Sequence, residues 1–471
     1  MHDLDRAGLA RRIERVGTAL LARRQPRAPV AILADNSPEW LAIDLAAQAL
    51  DICLVPLPLF FTPAQWMHVI VGSGVQAIFC ADPEQAARLG FGGVIDCAGP
   101  LALCEAPRAG SIVLPEGTRK ITFTSGTTSA PKGVCLGSSQ QWEVAQALHE
   151  ALAPLGIERH LSLLPFAVLL ENIAGAYTAL LSGATVICPP LAETGVRGAS
   201  DFDPGTCLAA IARYRAESII LVPQMLQALV AATVPHDPRI ASLRFVAVGG
   251  ARVSARLLAS ARERGFPVYE GYGLSECASV VALNLPGAER AGSVGRPLAQ
   301  RQVRIAADGE ILVAGQAARY LGQAPEAGPA WLATGDLGHL DRDGFLHVEG
   351  RKKDVLITAY GRNVSPEWPE AALAGTGALA QALVVGEAQP YLAALVVPSA
   401  PGVGPDRIQQ AVDAVNADLP DYARVRRWIA VPPFTTANGL ATANGRPRRA
   451  AILDHHASDI ASLFDLPESI T

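Results

Sequence analysis

Short apolar runs alternate along most of the chain with stretches of helical length. VAILAD (30–35) leads into SPEWLAIDLAAQAL, where Ser37 with Glu39 and the apolar residues that follow predicts a helix start. AIFCAD (77–82), SIILVP (218–223) and FVAVGG (245–250) are β-branched or aromatic runs, each followed by a helical pattern. That order predicts an α/β fold with largely parallel strands.

After about Ala291 the pattern shortens to strands and turns. VRIAADGEILVAG (303–315) and HLDRDGFLHVEGR (339–351) each place Asp-Gly between two apolar runs, which predicts hairpins turning at Asp308-Gly309 and Asp343-Gly344. Further on, LIT, ALVVG and AALVVP predict strands separated by helical stretches, before a Gly/Asn-rich loop and a last helix. We therefore expect a division near Gly350 to Lys353, with one domain over 1–350 and a smaller one over 351–471. IAGAYTALLSGATVICPPL (173–191) has 19 residues without a charge, long enough to be weighed as a membrane span. Its two glycines and terminal Pro-Pro favour a buried helix followed by a strand instead.

A chain of 471 residues that is half hydrophobic can bury a large core, and its formal charge of −5 argues against a nucleic-acid partner. The eight cysteines show no CxxC pair and no histidines at metal spacing, so a reducing compartment and no zinc site are expected. The first residues, MHDLDRAGLARRIERV, carry charges where a secretory signal needs an apolar run, which points to the cytoplasm. His455 and His456 lack the HHxxxD spacing and are expected on a helix surface.

The main chemical signal is ITFTSGTTSAPKGV (121–134). An apolar strand runs into five hydroxyl side chains (Thr124, Ser125, Thr127, Thr128, Ser129), the glycines Gly126 and Gly133, and Lys132. Inward-turned backbone N–H groups, hydroxyl donors and a point charge make an anion cradle. Pro131 stands where the common nucleotide-hydrolase loop has glycine, so this is a different device.

TSGTTSAPKGV resembles the signature of the adenylate-forming superfamily, which contains acyl-CoA synthetases, peptide-synthetase adenylation domains and luciferases. LLPFAVLLENIAG (163–175), VGGA (248–251), GYGLSE (271–276), ATGDLGHLDRDGFL (333–346) and GRKKDVLITAYGRNVSPEWPE (350–370) follow in family order. The resemblance implies a large N-terminal portion of stacked α/β sheets with a small β-barrel, and a mobile C-terminal α+β domain. It implies two steps: a carboxylate attacks the ATP α-phosphate to give acyl-AMP and pyrophosphate, then the CoA thiol takes the acyl group.

By the same resemblance Thr124, Ser125, Gly126, Thr127, Thr128 and Lys132 hold the ATP phosphates, and Glu276 is the Mg²⁺-associated acid. Gly249, Gly250 and Ala251 lie against adenine with Tyr272, Gly273 and Ser275 beside them. Asp336 takes the ribose hydroxyls and Arg351 the ribose and phosphate; Lys353 is the hinge, and Gly361 lies on the CoA side. The stretch NGLATANGRPRR (438–449) corresponds to the family's terminal loop, which puts Arg446 where relatives carry the lysine bridging acyl carboxylate and ATP. The chain has only four lysines and none after Lys353. A planar guanidinium does not reproduce the contacts of a compact ammonium, so slow adenylation is expected. A weakly active or inactive nucleotide-binding homologue is therefore the alternative.

Val168 stands where the family usually has a histidine or other ring near the acyl carboxylate. The stretches LLPFAVLL, ILVPQMLQALV and ASVVALN offer nothing to pair with an α-amino group, which disfavours amino acids. A medium- or long-chain fatty acid is expected, with an aryl acid as rival, and a carrier-protein phosphopantetheine is the alternative to CoA.

Overall fold

The computed structural model describes residues 4–106, 112–124, 131–197, 201–315, 319–322, 331–360, 362–442 and 445–464. An eight-stranded sheet has strands Lys120–Thr124, Leu54–Pro56, Val30–Leu33 and Ala77–Cys80 parallel at its centre. Antiparallel strands flank them on both sides, including the Lys120–Thr124 to Lys132–Leu136 hairpin. A seven-stranded sheet is parallel from Val268–Leu274 through Phe245–Val248, Ser218–Leu221 and Arg159–Leu161 to Thr185–Ile187. Both predicted hairpins form, inside a four-stranded antiparallel sheet. The last part of the chain builds a three-stranded sheet with helices Glu367–Ala374, Pro405–Asp418, Arg449–His455 and Ala457–Phe464.

Helix Pro38–Ala49 begins as its sequence predicts: the Ser37 hydroxyl accepts from Trp40 N at 3.1 Å. It is buried on nearly every side, which suits a helix in a middle layer between two sheets. The segment expected as an ordinary helix differs. Residues Leu170–Tyr177 are wound as a π-helix before one α-helical turn, Thr178–Leu181, and the predicted strand follows at Thr185–Ile187. The wider turn directs the adjacent side chains of Glu171 and Asn172 into separate buried networks.

Asn172 joins a buried cluster with Lys120, Asp44 and Tyr177. Lys120 Nζ donates to Asp44 Oδ2 at 2.9 Å and to Asn172 Oδ1 at 2.5 Å, and Asp44 also accepts from Asn172 Nδ2 and Tyr177 OH, each at 2.9 Å. Burial pulls the Lys120 ammonium below its ordinary pKa, with Asp44 opposing, and pushes the Tyr177 phenol up. His456, expected on a surface, is buried beside Phe434 and paired with Asp459 at 2.8 Å, because the terminal helices pack onto the C-terminal sheet.

Removing one member of a buried ion pair leaves the other charge without compensation, at about 3–5 kcal/mol. Lys120→Met is expected to lower unfolding stability by that amount in urea titration. A loss below about 1 kcal/mol, the scale of an exposed pair, contradicts a role as anchor.

Candidate active site

The C-terminal ends of the parallel strands in the seven-stranded sheet open into one continuous cleft of about 2050 Å³ that also reaches the C-terminal part of the chain. Ligands of open α/β sheets bind at this edge. Lys132, Gly249, Gly250, Ala251, Tyr272, Gly273, Ser275, Glu276, Asp336, Arg351, Lys353 and Arg446 all line the cleft.

Asp336 and Arg351 are cross-strand partners in the four-stranded sheet, and Arg351 Nε lies 3.0 Å from Asp336 Oδ1. The opposite carboxylate oxygen accepts from Tyr272 OH at 2.5 Å. Tyr272 sits on strand Val268–Leu274, so this bond ties two sheets together at the cleft. Asp336 is buried, and desolvation raises its pKa against the pull of Arg351 and Tyr272.

Strand Lys120–Thr124 delivers the hydroxyl-rich loop, and Thr124 pairs with Lys132 where the chain returns. Ser125, Gly126, Thr127 and Thr128 lie outside the described residues, as does Gly361. Lys132 is exposed at the start of its strand. Glu276 accepts from the Tyr320 hydroxyl, whose own strand pairs beside Val134 and Cys135. Sequence patterns gave no sign of Tyr320. Gly273 is required sterically, since a Cβ there would collide with the Ser279 carbonyl.

Arg446 reaches across the cleft, and its Nη2 donates to the carbonyl of Gly250. The neighbouring arginines do not share this approach. Arg449 pairs with Glu370 and donates to Val384 O at 2.8 Å, whereas Arg448 donates to Gly439 O at 3.1 Å. Lys353 lies in a 3₁₀ turn, Lys352–Asp354, directly after the strand that carries Arg351.

A buried acid that the sequence patterns did not reveal, Glu270, also lines the cleft. Burial raises its pKa from 4.5 to about 7, opposed by a loose 3.4 Å bond from Val253 N and by the charge of Arg252. Between pH 4.5 and about 7 the folded chain therefore holds a proton that the unfolded chain releases. Stability from this group declines as pH rises through that window, by at most about 3 kcal/mol. Glu270→Gln is expected to flatten the decline in melting temperature from pH 5 to pH 8; an unchanged pH profile contradicts the assignment.

Among the described residues no helix is long and apolar enough to cross a membrane. A model of the AMP-binding enzyme family matches residues 4–319, and one of the AMP-binding enzyme C-terminal domain matches residues 353–468. A long-chain-fatty-acid–CoA ligase of Mycobacterium bovis is 29% identical, with 91% of this chain and 86% of the relative covered. A feruloyl-CoA synthase of an Amycolatopsis species is 31% identical, with 82% of this chain and 81% of the relative covered. The solved structure of an amide bond synthetase from Marinactinospora thermotolerans is 27% identical at a TM-score of 0.75, with 95% of this chain and 93% of that one covered. The chain belongs to the AMP-binding enzyme family within the adenylate-forming superfamily, and it is an AMP-forming acid–thiol ligase.

Proposed function

We propose that the protein uses ATP to activate a medium- or long-chain fatty acid and passes the acyl group to CoA. The observation that carries this reading is Arg446. It extends from the terminal loop to Gly250 in the same cleft as the Asp336–Arg351–Tyr272 cluster, as an adenylating arrangement requires. An aryl acid is the second reading, favoured by the similarity to feruloyl-CoA synthase.

In the first step an oxygen of the substrate carboxylate bonds to the α-phosphorus while the α–β P–O bond breaks and pyrophosphate leaves. Two anions approach each other, so fixed positive charge is the main requirement. Lys132, Arg351 and Arg446, which all line the cleft, would supply it. Asp336 would accept the ribose hydroxyls, exchanging part of its present bonding to Tyr272 and Arg351. Gly249, Gly250 and Ala251 would let adenine lie flat against backbone.

Among the described residues no three His, Cys, Asp or Glu side chains gather as a metal site. One carboxylate completed by substrate phosphates and water suits Mg²⁺, and Glu276 would be that carboxylate. When bound, the ion neutralises phosphate charge. In the second step the thiol sulfur bonds to the acyl carbon, the bond to AMP breaks, and the thiol proton passes to solvent. Rotation of residues 351–471 about Lys353 would exchange the Arg446 loop for the thiol path beside Gly361.

Glu276→Gln is expected to reduce acyl-AMP formation about 100-fold or more, roughly 3 kcal/mol in barrier. Mg²⁺-dependent pyrophosphate exchange measures it, and unchanged exchange removes Glu276 from the assignment. For Arg446, Ala should abolish acyl-AMP formation and Lys should equal or exceed wild type, because a compact ammonium fits between carboxylate and phosphate. If Arg446→Ala is harmless, the loop is a bystander.

A further inference from the structure

Below the nucleotide edge, the seven-stranded sheet turns one face toward the π-helix. Cross-strand register places Ile220, Ala247 and Tyr269 in one row of that face, and His160, Ser218 and Phe245 in the next row down. Gly249 and Gly271 continue the face at the top, where the adenylating groups are. Except for Gly271's neighbour Tyr269, these positions line the cleft, and so do Ala174 and Gly175 of the π-helix opposite. Small residues at 174, 175 and 247 keep the space between helix and sheet open. From Gly249 to Phe245 is four residues of strand, so the lower row lies about 13 Å beneath the nucleotide edge.

That lower row holds a polar group in an apolar wall. His160 Nε2 lies 2.8 Å from Glu171 Oε1, and His160 Nδ1 lies 2.9 Å from Ser218 Oγ. The second oxygen of Glu171 accepts from Leu163 N at 3.2 Å and Leu164 N at 3.0 Å. Three N–H donors on two oxygens suit a carboxylate, which sets the Nε2 proton toward Glu171 and leaves Nδ1 to accept from the Ser218 hydroxyl. Gly175 makes room for this pair, since a Cβ there would collide with both Glu171 and His160. His160 and Glu171 are then fully engaged. Among the described residues the Ser218 hydroxyl has no partner but His160, so its lone pairs are available to a donor in the cleft.

Resting on the ligase reading above, we infer that Ser218, oriented by His160 and Glu171, is a specificity-determining residue that accepts a hydrogen bond from a hydroxyl on the body of the acid. The substrate class is then a hydroxylated acid, aryl or aliphatic, with its hydroxyl about 13 Å from the nucleotide edge. A buried hydrogen-bonding group rejects an analogue that leaves it unpaired far more strongly than an apolar wall does.

The test measures acid-dependent pyrophosphate release for two matched pairs, para-hydroxycinnamate against cinnamate and ω-hydroxydecanoate against decanoate. Wild type should prefer the hydroxylated member of at least one pair by about tenfold or more in kcat/KM. Ser218→Ala should erase that ratio by raising KM for the hydroxylated acid while kcat holds, and Ser218→Thr should keep it. Because each ratio is internal to one protein, partial loss of folded enzyme does not mimic the result. Equal kcat/KM within both pairs, a preference for the unsubstituted acids, or a ratio that survives Ser218→Ala overturns the subsite and leaves the ligase reading intact. Absence of release with these and all other acids overturns both.

Discussion

A single buried charge pair holds the cleft's surroundings in register. Lys120 lies on the strand that delivers the hydroxyl-rich loop, Asp44 on the helix between the sheets, and Asn172 and Tyr177 on the π-helix, of which Ala174 and Gly175 line the cleft. Three donors converge on Asp44 Oδ2 while its Oδ1 has no partner among the described residues, so losing any one of them leaves the buried charge poorly compensated and the cluster penalises a slip among these three elements. The strand that leads into the hydroxyl-rich loop and the π-helix along the cleft thus share one anchor. One of the chain's four lysines is placed in the core for this purpose.

The same economy appears one residue away. Glu171 is adjacent to Asn172 but serves a separate network with His160, Ser218 and the backbone of Leu163 and Leu164. An ordinary α-helical turn separates neighbouring side chains by about 100°. The π-wound segment allows both to point inward, each to its own partners. The resemblance at 163–175 therefore has a physical content here: Glu171 holds the Leu163–Leu164 backbone, and Gly175 leaves space for the histidine that orients it.

Charge at the cleft is shared across the molecule. Asp336 and Arg351 come from adjacent strands, Tyr272 from another sheet and Arg446 from the terminal loop. The neighbours of Arg446 are spent otherwise, with Arg449 bound to Glu370 and Arg448 to the loop backbone. Of the three arginines in that loop, Arg446 is the one that donates to Gly250 across the cleft, and it is also the one that the register of the terminal loop singles out.

Features that depend on near neighbours were legible in the residues alone. Ser37 caps its helix through Trp40, and the Asp-Gly turns close their hairpins, since each bond spans only a few residues. Motif order likewise identified the family, because a run of local backbone and side-chain requirements survives as a readable string. Packing alone set the pairings that span long stretches: Asp44 with Lys120, Tyr320 with Glu276, His160 with Ser218, Arg446 with Gly250. It also put Glu270 on the cleft wall and buried His456, against the expectation of a surface position. Periodicity records which face of an element is apolar; which polar partner waits behind that face is set by the packing of layers, and no local pattern encodes it.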